Sequence, residues 1–178
     1  LQEKLDEAAI AFNARYNQTA SAAGSFAGAD WDKLSPVKKR SSRESAAHVG
    51  IKEKILLALS PKGSDRKALQ EKLKAGTAYL NKLQKETQGE EFRQALLTYL
   101  EENPAINYLT QLEHKRWCNA YYAMNFHLGP QRDEKKRTHP CLIEDWEVLT
   151  DEAFFSCHPE YDLISVFALF GAKTADKK

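Results

Sequence analysis

Residues 105–124 read AINYLTQLEHKRWCNAYYAM, and this stretch decides which kind of fold the chain adopts. Leu109 and Leu112 are three residues apart, and Trp117 and Tyr121 are four apart. These spacings bring side chains to one face of an α-helix. The stretch therefore predicts a helix over 105–124 that presents aromatic and charged groups together.

The segments on either side of this helix show the same helical spacing of apolar residues. Ser41 and Glu44 match a capping box, in which the side chain of each residue accepts a hydrogen bond from the backbone N–H of the other. No alternating β pattern extends beyond a few residues, so we predict a mainly α fold. The predicted helices cover 1–18, Ser41 to Leu59, Ser64 to Thr87, 90–102 and Tyr161 to Phe170, with a loop over 21–30, a short extended piece at Leu142-Ile143 and a turn from Trp146 to Leu149.

Composition excludes several classes of protein. The 178 residues are 42% hydrophobic and 29% charged, with a net charge of +1, which does not suit a general nucleic-acid binder. No apolar run approaches the roughly 20 residues that span a bilayer. The first residue is Leu1, so we expect a fragment of a larger protein. Three widely spaced cysteines, Cys118, Cys141 and Cys157, indicate reduced thiols and a cytoplasmic location.

The predicted helix over 105–124 carries groups that suit an anionic ligand. Glu113 and Trp117 share a face with Tyr121, and Arg116 offers a rigid donor fork for phosphate or carboxylate. The alternative is that Trp117 fills the core and Glu113 pairs with a nearby cation. His114 is chemically able to bind zinc with Cys118, but paired Cys-x-x-Cys spacing is absent, so we predict no metal, no cofactor and no catalytic nucleophile.

A dense block of charge follows this helix. Residues 127–142 read HLGPQRDEKKRTHPCL, with six consecutive charged side chains between Gly129-Pro130 and His139-Pro140. Proline fixes the backbone at both ends, which lowers the entropy of the loop. Composition alone favours a solvated loop, whereas the rigid ends favour a loop whose side chains hold a geometry.

The order of residues in this region resembles a known family. LEHKRW (112–117) and NFHLGPQRDEKKRTHPCL (125–142) are similar to the ryanodine receptor repeat, in its bacterial, single-repeat form. The resemblance covers about 105–170, with weaker similarity over 30–48. Asn125-Phe126 stands where the family usually has Gly-Trp, and Glu144 stands where proline is common.

The resemblance implies a mainly helical unit with short β-strands, a structured loop and a cleft between helices and loop. It divides the chain into an N-terminal helical region (1–103), a repeat-like unit (104–172) and a disordered tail (173–178), packed as one globular unit. In the eukaryotic channels a cleft between such repeats can hold an adenine nucleotide, and no catalytic activity belongs to the family. We add Arg43 and His48, which could close the site from the N-terminal half. The candidate ligand-binding residues are Glu113, His114, Arg116, Trp117, Tyr121, Phe126, Arg132, Asp133, Lys136, His139, Trp146, Arg43 and His48.

Three functions are compatible with this pattern. The first is a non-enzymatic, ligand-sensing module that binds a small anionic molecule, such as an adenine-containing or signalling nucleotide, and relays its binding to a fused effector or channel domain. The second is a protein–protein interaction module whose charged loop meets an acidic partner. The third is a nucleotide-processing enzyme in which Glu113, His114 and His139 act as acid or base groups. None of the three involves nucleic acid or direct membrane contact.

Overall fold

The computed structural model describes residues 2–25 and 28–170, and it confirms the mainly α class. Two short 3-10 turns, Trp31–Lys33 and Ala168–Phe170, accompany the helices. The tail predicted to be disordered lies outside the described residues. The helices are α1 (Gln2–Ala22), α2 (Pro36–Ala47), α3 (Val49–Leu59), α4 (Arg66–Glu86), α5 (Gly89–Glu102), α6 (Pro104–Tyr122), α7 (Trp146–Glu152), α8 (Phe154–Cys157) and α9 (Glu160–Phe167), and the strands are β1 (His127–Leu128) and β2 (Thr138–His139).

The second helix begins earlier than predicted. Its cap is Ser35, whose hydroxyl accepts a hydrogen bond from the Lys38 N–H at 3.4 Å, and Pro36 occupies the first turn. Proline is well suited there because the first N–H groups of a helix have no intrahelical partner. The predicted capping box is therefore wrong: Ser41 and Glu44 lie inside α2.

The later helices agree better with the predictions. α4, α5 and α6 lie within about two residues of their predicted bounds, which is the ordinary uncertainty of helix ends. Asp65 caps α4 by accepting from the Ala68 N–H at 2.8 Å. The predicted turn at Trp146–Leu149 is instead the helix α7, capped by Asp145, and Leu142-Ile143 does not form a strand.

The sixth helix lies at the centre of the molecule. α6 contacts α2, α3, α5 and α9, and its Ile106 and Leu109 are fully buried. The main core combines Leu56 and Leu96 from the N-terminal helices with Leu163 from α9. Residues on both sides of position 104 therefore share one core. None of the helices in the described part of the chain is long and apolar enough to span a membrane.

The charged loop is held by its own hydrogen bonds. β1 and β2 pair in parallel, with His127 opposite Thr138, and the Asp133 carboxylate accepts from the Lys135 and Lys136 N–H groups at 2.9 and 3.0 Å. A Cβ on Gly129 would lie 2.8 Å from the Thr138 side chain, so this position requires glycine. Together these contacts give the loop a defined structure.

A second, smaller core fastens this loop to α6. It contains Cys118, Tyr121, Met124, Phe126 and Leu142, all buried. Because Phe126 and Leu142 stand at the two ends of the loop, burial of both fixes the loop against the helix. The side chains of α6 and of the loop are thereby brought to the same side of the molecule.

Candidate ligand-binding cleft

A space of about 420 Å³, which we call the cleft, lies between α1, α2, α6, the charged loop and the α8–α9 segment. Its walls come from parts of the chain more than a hundred residues apart, so it exists only in the folded molecule. Seven of the predicted site residues line it: Glu113, His114, Arg116, Trp117, Tyr121, Arg132 and His139.

Two of the predicted residues are placed elsewhere on the N-terminal helices. Arg43 forms a two-bond ion pair with Asp6, at 2.5 and 3.2 Å, and its guanidinium lies 5.5 Å from the centre of the Trp31 ring. His48 is exposed at the junction of α2 and α3, where its Nδ1 meets the Glu44 carbonyl at 2.7 Å. Neither residue lines the cleft, and the Arg43 side chain instead links α2 to α1 through Asp6.

Four residues of the resemblance also lie outside the cleft walls. Phe126 is buried beneath Tyr121, with ring centres 4.9 Å apart. Asp133 braces the loop through its bonds to backbone N–H groups, and Lys136 is exposed. Trp146 packs on the main core, with its ring 6.0 Å from that of His114. These residues support the cleft or surround it without lining it.

A buried ion cluster forms the floor of the cleft. The Glu113 carboxylate accepts two hydrogen bonds from Arg116, at 2.9 and 2.8 Å, one from Lys52 and one from the Ser45 hydroxyl at 3.3 Å. Burial alone would raise the pKa of Glu113, but Arg116 and Lys52 outweigh it and hold that pKa below its ordinary value. Burial lowers the pKa of Lys52, although Glu113 opposes this shift. The carboxylate is thus ionised between two cations.

His114 and Asp162 form a second buried pair beside this cluster. The His114 Nδ1 lies 2.9 Å from the Asp162 carboxylate, and its Nε2 lies 2.8 Å from the Ile143 carbonyl. Burial alone would lower the pKa of His114, but the hydrogen bonds and charges of Asp162 and Cys118 together outweigh it and raise that pKa to about 10. Both ring nitrogens face oxygen acceptors, so each carries a proton and His114 is an imidazolium.

The charges of these two groups do not balance. Lys52, Arg116 and protonated His114 are three cations, whereas Glu113 and Asp162 are two carboxylates. In addition, the Arg116 Nη1 is buried and has no hydrogen-bond partner among the described residues. A buried donor without a partner costs about 1–3 kcal/mol, or more when it is charged. This floor therefore favours an anion.

Aromatic rings form one wall of the cleft. The Trp117 ring centre lies 4.6 Å from that of Tyr121 and 4.9 Å from that of His139. The His139 Nδ1 accepts a hydrogen bond from the Cys141 N–H at 3.1 Å. Burial, together with the charge of Arg132, lowers the pKa of His139 to about 4, so this ring is neutral at physiological pH. The wall is uncharged, its rings are inclined to one another, and it lies next to a positively charged floor.

Sequence reasoning missed the wall that α2 contributes. Lys38, Ser41, Ser42 and Ser45 all line the cleft. They stand at positions i, i+3, i+4 and i+7, which is one face of a helix. The signal is therefore present in the sequence, but it is visible only when the helix begins at Pro36. Further lining residues come from α1 and α9, among them Asn13, Tyr16, Asn17 and Tyr161.

One arrangement near the cleft has the connectivity of a catalytic triad. The Cys118 sulfur lies 3.6 Å from the His114 Nε2, and His114 in turn bonds Asp162. Cys118 has no exposed surface, however, and the His114 Nε2–H is already donated to the Ile143 carbonyl. A nucleophile must reach its substrate and its base must be free to accept a proton, so this geometry does not support cysteine catalysis.

Residues 2–25 and 28–170 contain no group of three His, Cys, Asp or Glu side chains arranged to hold a metal.

A disulfide bond joins Cys141 to Cys157 at the edge of the cleft. It links the end of the charged loop to α8, and Cys118 is the free, buried cysteine. The prediction of three reduced thiols is therefore wrong for two of them. An odd number of cysteines leaves one thiol over, but it does not prevent the other two from meeting in the fold.

We expect the charged state of His114 to make stability depend on pH. Its pKa of about 10 in the folded chain lies above the ordinary value of 6.5. Between pH 6.5 and 10, the folded state therefore binds more protons than the unfolded state. The contribution is full below about pH 6.5, and the free energy of unfolding should fall as the pH rises toward 10. Urea unfolding across this range should show a shallower fall for His114→Gln.

The matched control for this experiment is His127→Gln, which removes an exposed imidazole. It should keep the wild-type pH dependence. If His114→Gln and wild type lose stability in parallel between neutral and alkaline pH, His114 does not carry a buried charge.

No protein family, curated protein or solved structure gives a significant match to this chain. The similarity to the ryanodine receptor repeat thus stays a prediction that rests on the residues quoted for it.

Proposed function

We propose that the chain is a ligand-binding regulatory module of the ryanodine receptor repeat type. It binds a small anionic molecule, an adenine-containing or signalling nucleotide, and relays this binding to a fused effector or channel domain in the cytoplasm. The observation that carries the proposal is the cleft itself, in which a wall of aromatic rings stands beside an unbalanced buried positive charge.

The size and chemistry of the cleft suit such a ligand. Its volume falls within the range of about 300–1,000 Å³ that is usual for small-molecule sites. Stacking of a base on an aromatic side chain contributes about 1–3 kcal/mol in nucleic-acid systems. Arg132 lines the same cleft and is paired with Glu134 at 3.2 Å, with 38% of its side chain exposed. Such an exposed pair is weak, so Arg132 is free to exchange Glu134 for a ligand phosphate.

A sensing role also fits the way the walls are assembled. The cleft is bounded by α1 and α2 on one side and by the charged loop and α9 on another, with α6 between them. A ligand that contacts all of these elements stabilises their relative positions, because it binds only when they are together. This is the differential binding that a regulatory module needs.

Isothermal titration against ATP, ADP-ribose, cyclic ADP-ribose and cyclic oligonucleotides tests the proposal. We expect at least one of them to bind, and Arg132→Ala to weaken that binding by about three- to tenfold through loss of one phosphate contact. Lys135→Ala is the matched control, since Lys135 is an exposed cation of the same loop outside the cleft walls. Absence of heat with every ligand, from a folded sample, would contradict the proposal.

One observation favours the interaction-module alternative. Lys135, Lys136 and Arg137 are exposed, lie outside the cleft walls and form no ion pair among the described residues. An acidic partner would use these cations rather than the cleft. A double Lys135→Ala, Lys136→Ala variant would then lose partner binding in a pull-down while nucleotide titrations stay silent. Recovery of the titrated nucleotide unchanged would separate both functions from the enzymatic one.

A further inference from the structure

We infer that the α2 side of the cleft is a phosphate subsite, and that the ligand is a phosphate monoester of a planar heterocycle, of about the size of a nucleoside monophosphate. The inference rests on the proposed function and specifies which group of the ligand is bound where. The residues that form this subsite are Arg116, Ser41, Ser42 and Lys38.

Arg116 is the first observation. Two of its guanidinium nitrogens are used by Glu113, but Nη1 is buried without a partner, in a side chain that is only 10% exposed. A guanidinium edge presents N–H donors in a fixed plane, which matches the oxygens of phosphate or carboxylate. Arg116 is among the residues that line the cleft, so a ligand bound there lies beside this guanidinium.

The hydroxyl face of α2 is the second, independent observation. Ser41 and Ser42 line the cleft, half-buried, and neither hydroxyl forms a hydrogen bond within the described part of the chain. Ser45, one turn further on, donates to Glu113 and so places this face directly beside the Arg116 ion pair. Lys38, one turn earlier, is exposed and stands at the rim. The face thus runs from an ammonium through two free hydroxyls to the guanidinium.

The number and charge of these donors distinguish phosphate from carboxylate. A carboxylate has two oxygens in one plane, and a guanidinium alone satisfies it. A phosphate monoester has three terminal oxygens and carries a charge between about −1.5 and −2 at neutral pH. It uses donors from more than one direction, which α6 and α2 provide together. The excess positive charge of the Lys52–Glu113–Arg116 group offsets part of that negative charge.

The aromatic wall gives the rest of the ligand a place. Trp117 and Arg116 are neighbours on α6, and Tyr121 follows one turn later. A phosphate held at Arg116 leaves the attached group beside this wall. The volume of about 420 Å³ accommodates one nucleotide unit rather than a long oligonucleotide.

Titration with AMP, adenosine, ribose 5-phosphate and inorganic phosphate tests the subsite. We expect AMP to bind at least about tenfold more tightly than adenosine, and a Ser41→Ala, Ser42→Ala double variant to lose about tenfold in affinity for AMP with adenosine unchanged. Both serines are only half-buried, so the variant should fold. Ser64→Ala is the matched control, because Ser64 is a half-buried serine outside the cleft walls and its loss should leave AMP binding unchanged.

The outcomes separate the two proposals. Equal binding of AMP and adenosine, or an unaffected double variant, overturns the phosphate subsite and leaves the proposed function standing. Binding of ribose 5-phosphate and phosphate that depends on Ser41 and Ser42, without any preference for a nucleotide, overturns the proposed function and retains the subsite. If none of the four probes and none of the nucleotides in the panel binds, both the phosphate subsite and the proposed function are overturned.

Discussion

Glu113→Ala should lower the free energy of unfolding by about 3–5 kcal/mol, whereas Lys52→Met should change it by less than about 1.5 kcal/mol. The alanine variant leaves Lys52 and Arg116 in the interior with no carboxylate between them. The methionine variant removes one of two cations and keeps the two-bond pair of Arg116 with Glu113. The difference between the variants measures charge balance rather than the number of hydrogen bonds lost.

Urea unfolding monitored by circular dichroism checks this expectation. Lys115→Ala is the control for the helix itself, since Lys115 is exposed between the buried groups of α6 and should cost little. Equal destabilisation by Glu113→Ala and Lys52→Met would show that the cluster acts through packing alone. A Glu113→Gln variant should lose about as much free energy of unfolding as Glu113→Ala, because it keeps the shape of the side chain and removes its charge.

The same pair of variants connects stability to binding. Lys52→Met neutralises the excess positive charge of the cleft floor while the fold is retained. A nucleotide should therefore bind more weakly to this variant although its unfolding midpoint is nearly normal. A residue far from ligand contact would otherwise have no reason to affect affinity.

The helices can be predicted because each buries a stripe of apolar side chains at regular spacing. Leu69, Leu73, Leu80 and Leu83 of α4 are all buried, as the sequence pattern requires. The predicted start of α2 is wrong because Ser41 and Glu44 imitate a cap, while the true cap is Ser35 before Pro36. Because the predicted start is about one and a half turns too late, the prediction does not place the serines of α2 together with Lys38 on one helix face.

The candidate site can be predicted only where its residues are close in sequence. Glu113, His114, Arg116 and Trp117 share two turns of α6, so their proximity follows from helix geometry. Their partners do not: Lys52 lies 61 residues from Glu113, and Asp162 lies 48 residues from His114. These pairs form because α3 and α9 pack against α6, and that packing cannot be predicted from the local sequence.

Arg43 and Lys52 illustrate the limit of reasoning from charge alone. Both are cations of the N-terminal helices, and the sequence pattern places only Arg43 near the ligand. The structure pairs Arg43 with Asp6 on the outer surface and buries Lys52, which is 2% exposed, beneath the cleft. Lys52 follows Ile51 directly, yet Ile51 is among the exposed apolar residues. The buried face of α3 therefore carries Lys52 and Leu56, whereas the apolar Ile51 and Leu59 are exposed.

Reduction of the Cys141–Cys157 disulfide should lower the free energy of unfolding by about 3 kcal/mol. The two cysteines are 16 residues apart, and a crosslink that closes a loop of about 15 residues contributes about that much by restricting the unfolded chain. Urea unfolding with and without a dithiol reductant measures the effect. A Cys141→Ser, Cys157→Ser double variant is the control, since it should match the reduced protein and ignore the reductant.

Counting thiols gives this prediction a second measurement. Unfolded under non-reducing conditions, the oxidised chain should expose one reactive thiol, that of Cys118, and reduction should expose three. Three thiols without reductant, together with unfolding curves that the reductant leaves unchanged, would contradict it. The consequence reaches the cleft, because the bond ties the loop of Arg132 and His139 to α8. In a cytoplasm that keeps thiols reduced, this wall of the cleft would keep its hydrogen bonds and the smaller core beneath the loop but lose its covalent link to α8.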